Sequence, residues 1–331
     1  MTDSFDPLRV ASDLVKTLGY RCPVGVTPLP GGRNNQVWKV EGEGSRFLLK
    51  RYFWSQNDPR DRMGNEWAFL SYLRSIGCDD APAPLAKSSA ERSALLEYIE
   101  GLPVQDVTVR DIESASDFFL RINEGRERAG SLPLVSEGCL SLKEHLEVVS
   151  GRVNRVEAIT PDDPEHAVAV DFVKKAIIPL WHRIEKRIRS CADRELTRVL
   201  PTEERCLSPS DFGFHNALRE ADGRLRFLDF EYAGWDDPAK TIIDFCNQPD
   251  RILPDDLARA FRNRVVTAFP EPSSMLRRID LLEPLYQLKW ACICLNGFLP
   301  GRGFPDPRPD RSPVAHLDRA RIMAGRASAR E

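Results

Sequence analysis

The sequence predicts an α+β fold in two lobes, a small antiparallel-sheet lobe followed by a mostly helical one. Three observations predict it. Short alternating or apolar runs at 36–40, 45–50 and 94–99 read as strands, with a glycine-rich break at 30–35 ahead of the first. After Gly101 the apolar residues recur every three to four positions, the spacing of helices. Between these regions and the C-terminus lies a hairpin signal, Ala221-Asp222-Gly223 between Leu218 and Leu225, closed by the apolar run that ends at Asp229. The expected organisation is an N-terminal lobe over 1–100 with a hinge at about 96–101. A helical lobe over 101–300 and a C-terminal loop and tail over 301–331 complete it.

The elements follow in order. Residues 7–18 read as a lead-in helix, with Val10, Leu14, Val15 and Leu18 on one side. Pro30-Gly31-Gly32-Arg33-Asn34-Asn35 is a turn between strands, and the strand 45–50 ends in Lys50. Residues 61–76 read as a helix with Met63, Trp67, Leu70 and Leu73 at helical spacing, and Glu66 lies off the centre of that stripe. Beyond the strand 94–99, helices are expected at 106–123 and 165–191. The second has a core face of Val168, Phe172, Ala176, Ile177, Leu180 and Ile184, and Pro179 is expected to kink it. Residues 283–299 read as an apolar helix with Pro284 in the first turn, where proline is tolerated. A Pro-, Gly- and Arg-rich stretch at 301–313 reads as loop, followed by a short polar helix around 316–324.

The chemistry concentrates in one segment. Asp211 is followed by Asn216 at plus five, and Asp229 closes the hairpin. Phosphoryl transfer of the kinase type needs these residues. One Asp orients the attacking hydroxyl and accepts its proton, while an amide oxygen and a second carboxylate hold magnesium against the nucleotide phosphates. Upstream, Gly31 and Gly32 permit close approach of backbone to phosphate. Lys50 stands where a strand lysine pairs with phosphates, and Glu66 is within a helix that could bring it to Lys50. Each has an ordinary alternative. Asp211 and Asn216 are common turn residues, Lys50 can be an exposed strand end, and Glu66 a solvated helix residue. Asp229, at the edge of a core, needs partners either way. Glu231 can assist the metal or pair with an arginine. His215 reads as a solvated loop histidine, and Trp235 and Trp290 as pocket or core residues, with core favoured for Trp290.

Asp211-Phe212-Gly213 spells the magnesium-binding triplet of protein kinases, but that register fails. The upstream Asp193 has Arg198 at plus five, and a guanidinium cannot ligate a cation. In the working register the chain resembles the aminoglycoside phosphotransferase and choline kinase families, which share the protein-kinase-like fold. The residues that carry the resemblance are Gly31-Gly32-x-x-Asn35, Lys50, Glu66, the hinge 96–101, Asp211-x-x-x-x-Asn216, Asp229-Phe230-Glu231-Tyr232 and Asp244. It implies an ATP-dependent kinase for a hydroxyl of a small molecule: an amino alcohol, an aminoglycoside or a sugar-like compound. Asp211 would be the base, and Asn216 and Asp229 the ligands of Mg2+. Gly31, Gly32, Asn35, Lys50, Glu66, Glu97 and Ile99 would form the ATP site. Asp244 would brace the catalytic loop. One position departs: the family's histidine two residues before the catalytic Asp is Pro209 here. That departure leaves a nucleotide-binding pseudokinase as the alternative. A protein kinase is disfavoured, because the chain after Asp229 has no long activation loop and no Ala-Pro-Glu.

Composition excludes other classes. A net charge of −3 in 331 residues offers no global attraction to nucleic acid or anionic membranes. No basic region with an apolar core opens the sequence, and no apolar run approaches the length of a membrane span. The eight cysteines are scattered, with Cys292-x-Cys294 the only close pair, which predicts reduced core thiols in a cytoplasmic protein and no zinc site.

Overall fold

The computed structural model describes residues 5–331 except 22, 24, 31–34, 43, 57, 59, 131, 193–194, 250, 305 and 307. The chain forms two compact units. The first combines residues 1–136 with 207–234, and the second combines 137–206 with 235–331.

The first unit is built on a five-stranded antiparallel sheet, β1 (Gly25–Leu29), β2 (Gln36–Gly42), β3 (Ser45–Arg51), β4 (Pro84–Ser88) and β5 (Ser93–Glu97), in the order β1-β2-β3-β5-β4. Helix α1 (Pro7–Thr17) covers it. Asp6 caps that helix by accepting from Leu8 and Arg9, and Pro7 takes the first position, where its missing N–H is no loss. Val10, Ala11, Leu14 and Val15 of α1 form one buried cluster with Val40, Phe47, Leu49, Ala86 and Leu95 of the sheet. In register, Lys50 lies opposite Val37 on one side and Ala94 on the other, so it sits on a central strand. Helix α2 (Arg62–Ser75) starts at the capping Asp61, one residue inside the expected span. A second sheet of three short strands, β6 (Leu102–Pro103), β8 (Ala217–Arg219) and β9 (Leu225–Phe227), runs in the order β6-β8-β9. The β8–β9 connection is the expected hairpin, with Gly223 in the left-handed region at φ 88°. Gly101, just before β6, has no room for a side chain, since a Cβ there would lie 2.9 Å from the Arg219 carbonyl oxygen. Helix α3 (Val109–Glu124) opens with a capping box made by Thr108 and Asp111. Strand β7 (Cys206–Ser208) leads into the Asp211 loop.

The second unit is helical: α4 (Leu142–Val156), α5 (Pro164–Phe172), α6 (Ile178–Ala192), α7 (Pro238–Cys246), α8 (Asp255–Val265), α9 (Pro272–Cys294) and α10 (Pro313–Arg330). The expected helix at 165–191 is divided by a wide turn at Val173–Ile177, where the Ile178 N–H reaches back five residues to the Val173 carbonyl. Pro179 has no N–H to give and its ring crowds the preceding turn, and the wide turn relieves that clash. The core face is Ala169, Val173, Ile177, Leu180 and Ile184. Val168 is exposed, because steps of 3.6 back from Ile177 land on 173 and 169 rather than on 172 and 168. Helix α9 starts at Pro272, not near 283, so Pro284 lies inside it. An internal proline costs a helix about 3 kcal/mol. The complete burial of Leu282, Leu285, Tyr286 and Leu288 around Pro284 offsets it. Helix α10 is twice the expected length and buries Leu317, Ala320, Met323, Ala324 and Ala327. Among the described residues no helix is long and apolar enough to cross a membrane. The described cysteines are free, and all but Cys191 are buried.

Candidate active site

Lys50 is 5% exposed and holds two carboxylates at once. Its Nζ donates to Glu66 Oε2 at 2.7 Å and to Asp229 Oδ1 at 2.6 Å. Burial alone would push the lysine pKa down, but the two carboxylates outweigh it and hold the ammonium above its usual range. Glu66, 1% exposed, spends its other oxygen on the Phe230 N–H at 2.9 Å. The helix residue that sequence alone could not separate from a solvated one is therefore a buried bridge between a strand and the turn carrying Asp229.

Asp229 adopts φ 66° and Ser210, beside Asp211, adopts φ 68°. Left-handed backbone costs a non-glycine residue about 1–3 kcal/mol and gathers at functional sites. The loop between them is pinned by its own side chains. Asn216 Nδ2 donates to the Asp211 carbonyl at 2.9 Å and to Asp211 Oδ2 at 3.2 Å. Because a carbonyl needs a donor, this bond fixes the amide orientation and leaves Asn216 Oδ1 as the outward oxygen. His215 Nε2 lies 3.2 Å from Asp211 Oδ1. The Leu228 N–H donates to the Asn216 carbonyl at 2.8 Å, so the segments bearing Asn216 and Asp229 are stitched together.

Below these polar groups is an aromatic core. Phe227 stacks on Phe118 at 4.6 Å, Phe212 packs on both, and Phe230 packs on Phe69 at 5.1 Å. Phe212 and Phe230 each follow an acidic residue of the site, so burying the rings aims the preceding carboxylates. Asn123 of α3, 1% exposed, binds both sides of the Leu207 backbone, accepting from its N–H at 2.8 Å and donating to its carbonyl at 3.1 Å.

The model of a family described as "Phosphotransferase enzyme family" matches residues 25–276. The chain belongs to that family. Solved phosphotransferases share the fold. A spectinomycin phosphotransferase in complex with ADP and spectinomycin superposes with TM-score 0.63 at 13% identity, covering 99% of each chain. The choline kinase LicA from Streptococcus pneumoniae gives 0.61 at 14%, covering 96% of this chain and 98% of its own. An ethanolamine kinase from Plasmodium vivax gives 0.58 at 13%, covering 99% and 84%. No match is found among curated protein sequences.

In this phosphotransferase the structure brings Lys50, Glu66 and Asp229 into direct contact, and Asp211 and Asn216 into another. Gly31, Gly32 and Asp193 lie outside the described residues. Asn35 is directed at Glu231, to which its Nδ2 donates at 2.7 Å. The Glu97 carboxylate accepts from the Ala83 N–H at 3.0 Å and from Arg226 at 2.9 Å, and Ile99 is buried just after β5. Asp244 accepts from Lys289 at 2.7 and 2.8 Å and from Trp290 Nε1 at 2.8 Å, in place of the expected catalytic-loop amides. Trp290 is thereby half-buried with its nitrogen bonded, which pure core packing did not anticipate. His215, read as a solvated loop histidine, lies against Asp211, and Asn123 and Arg62 carry no sequence signal that marks them as partners of the site. A polar residue announces itself in sequence only through spacing to its partner, and Asn123 is 84 residues from Leu207.

Proposed function

We propose that the chain is an ATP-dependent kinase that moves the γ-phosphoryl group to a hydroxyl of a small molecule: an amino alcohol, an aminoglycoside or a sugar-like compound. The observation that carries this is Lys50 bound simultaneously to Glu66 and Asp229. A buried lysine between a helix carboxylate and the end of a hairpin is poised to meet phosphates beside a metal-binding Asp. The spectinomycin phosphotransferase was solved with ADP, which supports a nucleotide at the equivalent place. The ATP site comprises Lys50, Glu66 and Asn35, with Gly31 and Gly32 at the phosphates by sequence order and the hinge backbone from Glu97 to Ile99 along the adenine.

The residues present fit Mg2+. Asn216, its amide nitrogen turned to Asp211, would offer its amide oxygen, and the side chain of Asp229 is 35% exposed, within reach of a partly hydrated ion. When bound there, magnesium neutralises phosphate charge. Asp211 orients the acceptor hydroxyl and takes its proton as the new P–O bond forms and the bond to the ADP oxygen breaks. The Asn216 and His215 contacts hold the Asp211 carboxylate in place for that transfer. Incubating the purified protein with magnesium-ATP and a panel of hydroxyl compounds, and following ADP release, tests the proposal. Acceptor-dependent ADP is expected. Nucleotide binding with no acceptor phosphorylated across a broad panel would favour the pseudokinase instead.

A further inference from the structure

Glu231 lies two residues beyond Asp229 and is 3% exposed. Both of its oxygens are engaged. Oε1 accepts from Arg62 Nη1 at 2.7 Å, and Oε2 accepts from Asn35 Nδ2 at 2.7 Å. The partners are held in turn. Arg62, also 3% exposed, gives Nη2 to Asp58 at 2.6 Å, and Asn35 Oδ1 accepts from the Phe53 N–H at 3.1 Å. The rings of Phe53 and Tyr232 lie 5.4 and 5.0 Å from the Arg62 guanidinium. The residue before β2 and the start of α2 therefore meet at a carboxylate of the Asp229 turn, and the segment after β3 holds both of them.

A carboxylate removed from water is stable only with donors on its oxygens and a counter-charge, and Glu231 has both from protein. Its charge is already met by the buried Arg62 guanidinium, which a divalent cation beside it would repel. The left-handed Asp229 needs external restraint to stay in a strained conformation. Glu66 supplies one restraint through the Phe230 N–H, and Glu231 supplies a second one residue further on.

We infer that Glu231 is a positioning residue and not a metal ligand. Through Arg62 and Asn35 it anchors the Asp229 turn to α2 and to the residue that precedes β2. The inference rests on Asp229 as the metal ligand proposed above. Two measurements test it and separate its failure from that one. The first is a double-mutant cycle on the ligand-free protein, using urea unfolding of Asn35→Ala, Glu231→Gln and the double variant. A shared bond predicts that the double variant loses less than the sum of the two single losses, because the Phe53 bond to Asn35 is lost independently of Glu231, whereas fully additive losses would overturn the inference. The second is Mn2+ binding followed by electron paramagnetic resonance in the presence of ADP. Glu231→Gln should lose no more than about tenfold in Mn2+ affinity, the low end for a contact behind a ligand, and Asp229→Asn, which removes a charged ligand, should lose clearly more. An equal loss in both variants would make Glu231 a ligand and sink the inference. Retention in both would remove Asp229 as the ligand, and the urea cycle alone would then decide the Asn35–Glu231–Arg62 assembly. Should Glu231→Gln not fold, Arg62→Lys, which loses the forked bond to Glu231 and Asp58 and lies outside the proposed ATP site, carries the test. It should weaken magnesium-ADP binding measured by calorimetry by about tenfold, the worth of one hydrogen bond to a charged group, while Mn2+ stoichiometry is unchanged. Unaltered ADP affinity would count against positioning.

Discussion

Lys50 faces two carboxylates of unequal burial, so its removal has two distinct consequences. Lys50→Ala leaves Glu66 charged and unpaired in the interior, which should cost about 3–5 kcal/mol in urea unfolding. Replacing Glu66 by Leu in the same chain should recover part of that loss, because the orphaned charge goes with it. Nucleotide binding should stay weak in both variants, as the lysine itself is missing. Asp211 sits differently, partly exposed and held by Asn216 and His215 rather than by Lys50. Asp211→Asn should lower turnover by about a hundred- to ten-thousand-fold in steady-state assays yet leave ATP affinity unchanged, since no metal contact is assigned to it. The spacing of Asp211, Asn216 and Asp229 was legible because those residues are local partners, within one loop and one hairpin. Glu66 was legible as a partner of Lys50 only through the resemblance, and Glu231 stayed open between metal and arginine, because a buried charged residue looks like a solvated one until its cation is found elsewhere in the sequence. Glu66 is 16 residues from Lys50, and Glu231 is 169 from Arg62.

At the scale of elements, Asn123 ties α3 to the backbone that enters the Asp211 loop, beside the packing of Phe118 on Phe212. Asn123→Ala would strip both the N–H and the carbonyl of Leu207 of their buried partner, at about 1–3 kcal/mol in urea unfolding. Asn123→Asp should fare worse than a neutral loss of contact predicts, because the carboxylate cannot donate to the Leu207 carbonyl. Strands β2, β3 and β5 and helices α1 to α3 are close to their sequence expectations, since each combines a clean period with a punctuating Gly, Asp or Thr. Helix α4 went unpredicted although Ser141 and Glu144 form a capping box, and α7 although Asp237 caps it ahead of Pro238. Helix α7 is buried nearly throughout, so it has no polar face to mark a period. Pro284 misled in the other direction. Proline normally marks a first turn, but here the apolar burial around it sustains the helix across the break.

At the scale of the whole molecule, the first unit holds the proposed chemistry and the second a buried polar network with its own pH signature. His145 is fully buried, with Nε2 2.9 Å from Asp237 and Nδ1 against the Tyr286 hydroxyl. The carboxylate requires a donor, so Nε2 carries the proton and Nδ1 accepts from Tyr286. Asp237 also accepts from Arg278 Nε at 2.6 Å and from the Ala239 N–H at 2.8 Å. Burial pushes the His145 pKa below its usual 6.5, although Asp237 pulls the other way. The unfolded chain therefore binds a proton below about pH 6.5 that the folded chain refuses. This contribution is complete above that pH and is lost as pH falls toward the folded value. Urea midpoints should drop between pH 7.5 and 5.5, and His145→Gln should flatten that drop. The network was not legible in sequence, since its members come from α4, α7 and α9 and share no local pattern. The two-lobed α+β class was, because it rests on the change from strand to helix periodicity near Gly101. The kinase assignment for the first unit is tested most directly by isothermal calorimetry with ATP and magnesium on wild type and Asp229→Ala. Wild type should bind only with magnesium present, and the variant should lose that magnesium-dependent binding while keeping its fold by circular dichroism. A wild-type chain that binds no nucleotide, or an Asp229→Ala variant that binds magnesium-ATP as wild type does, would contradict it.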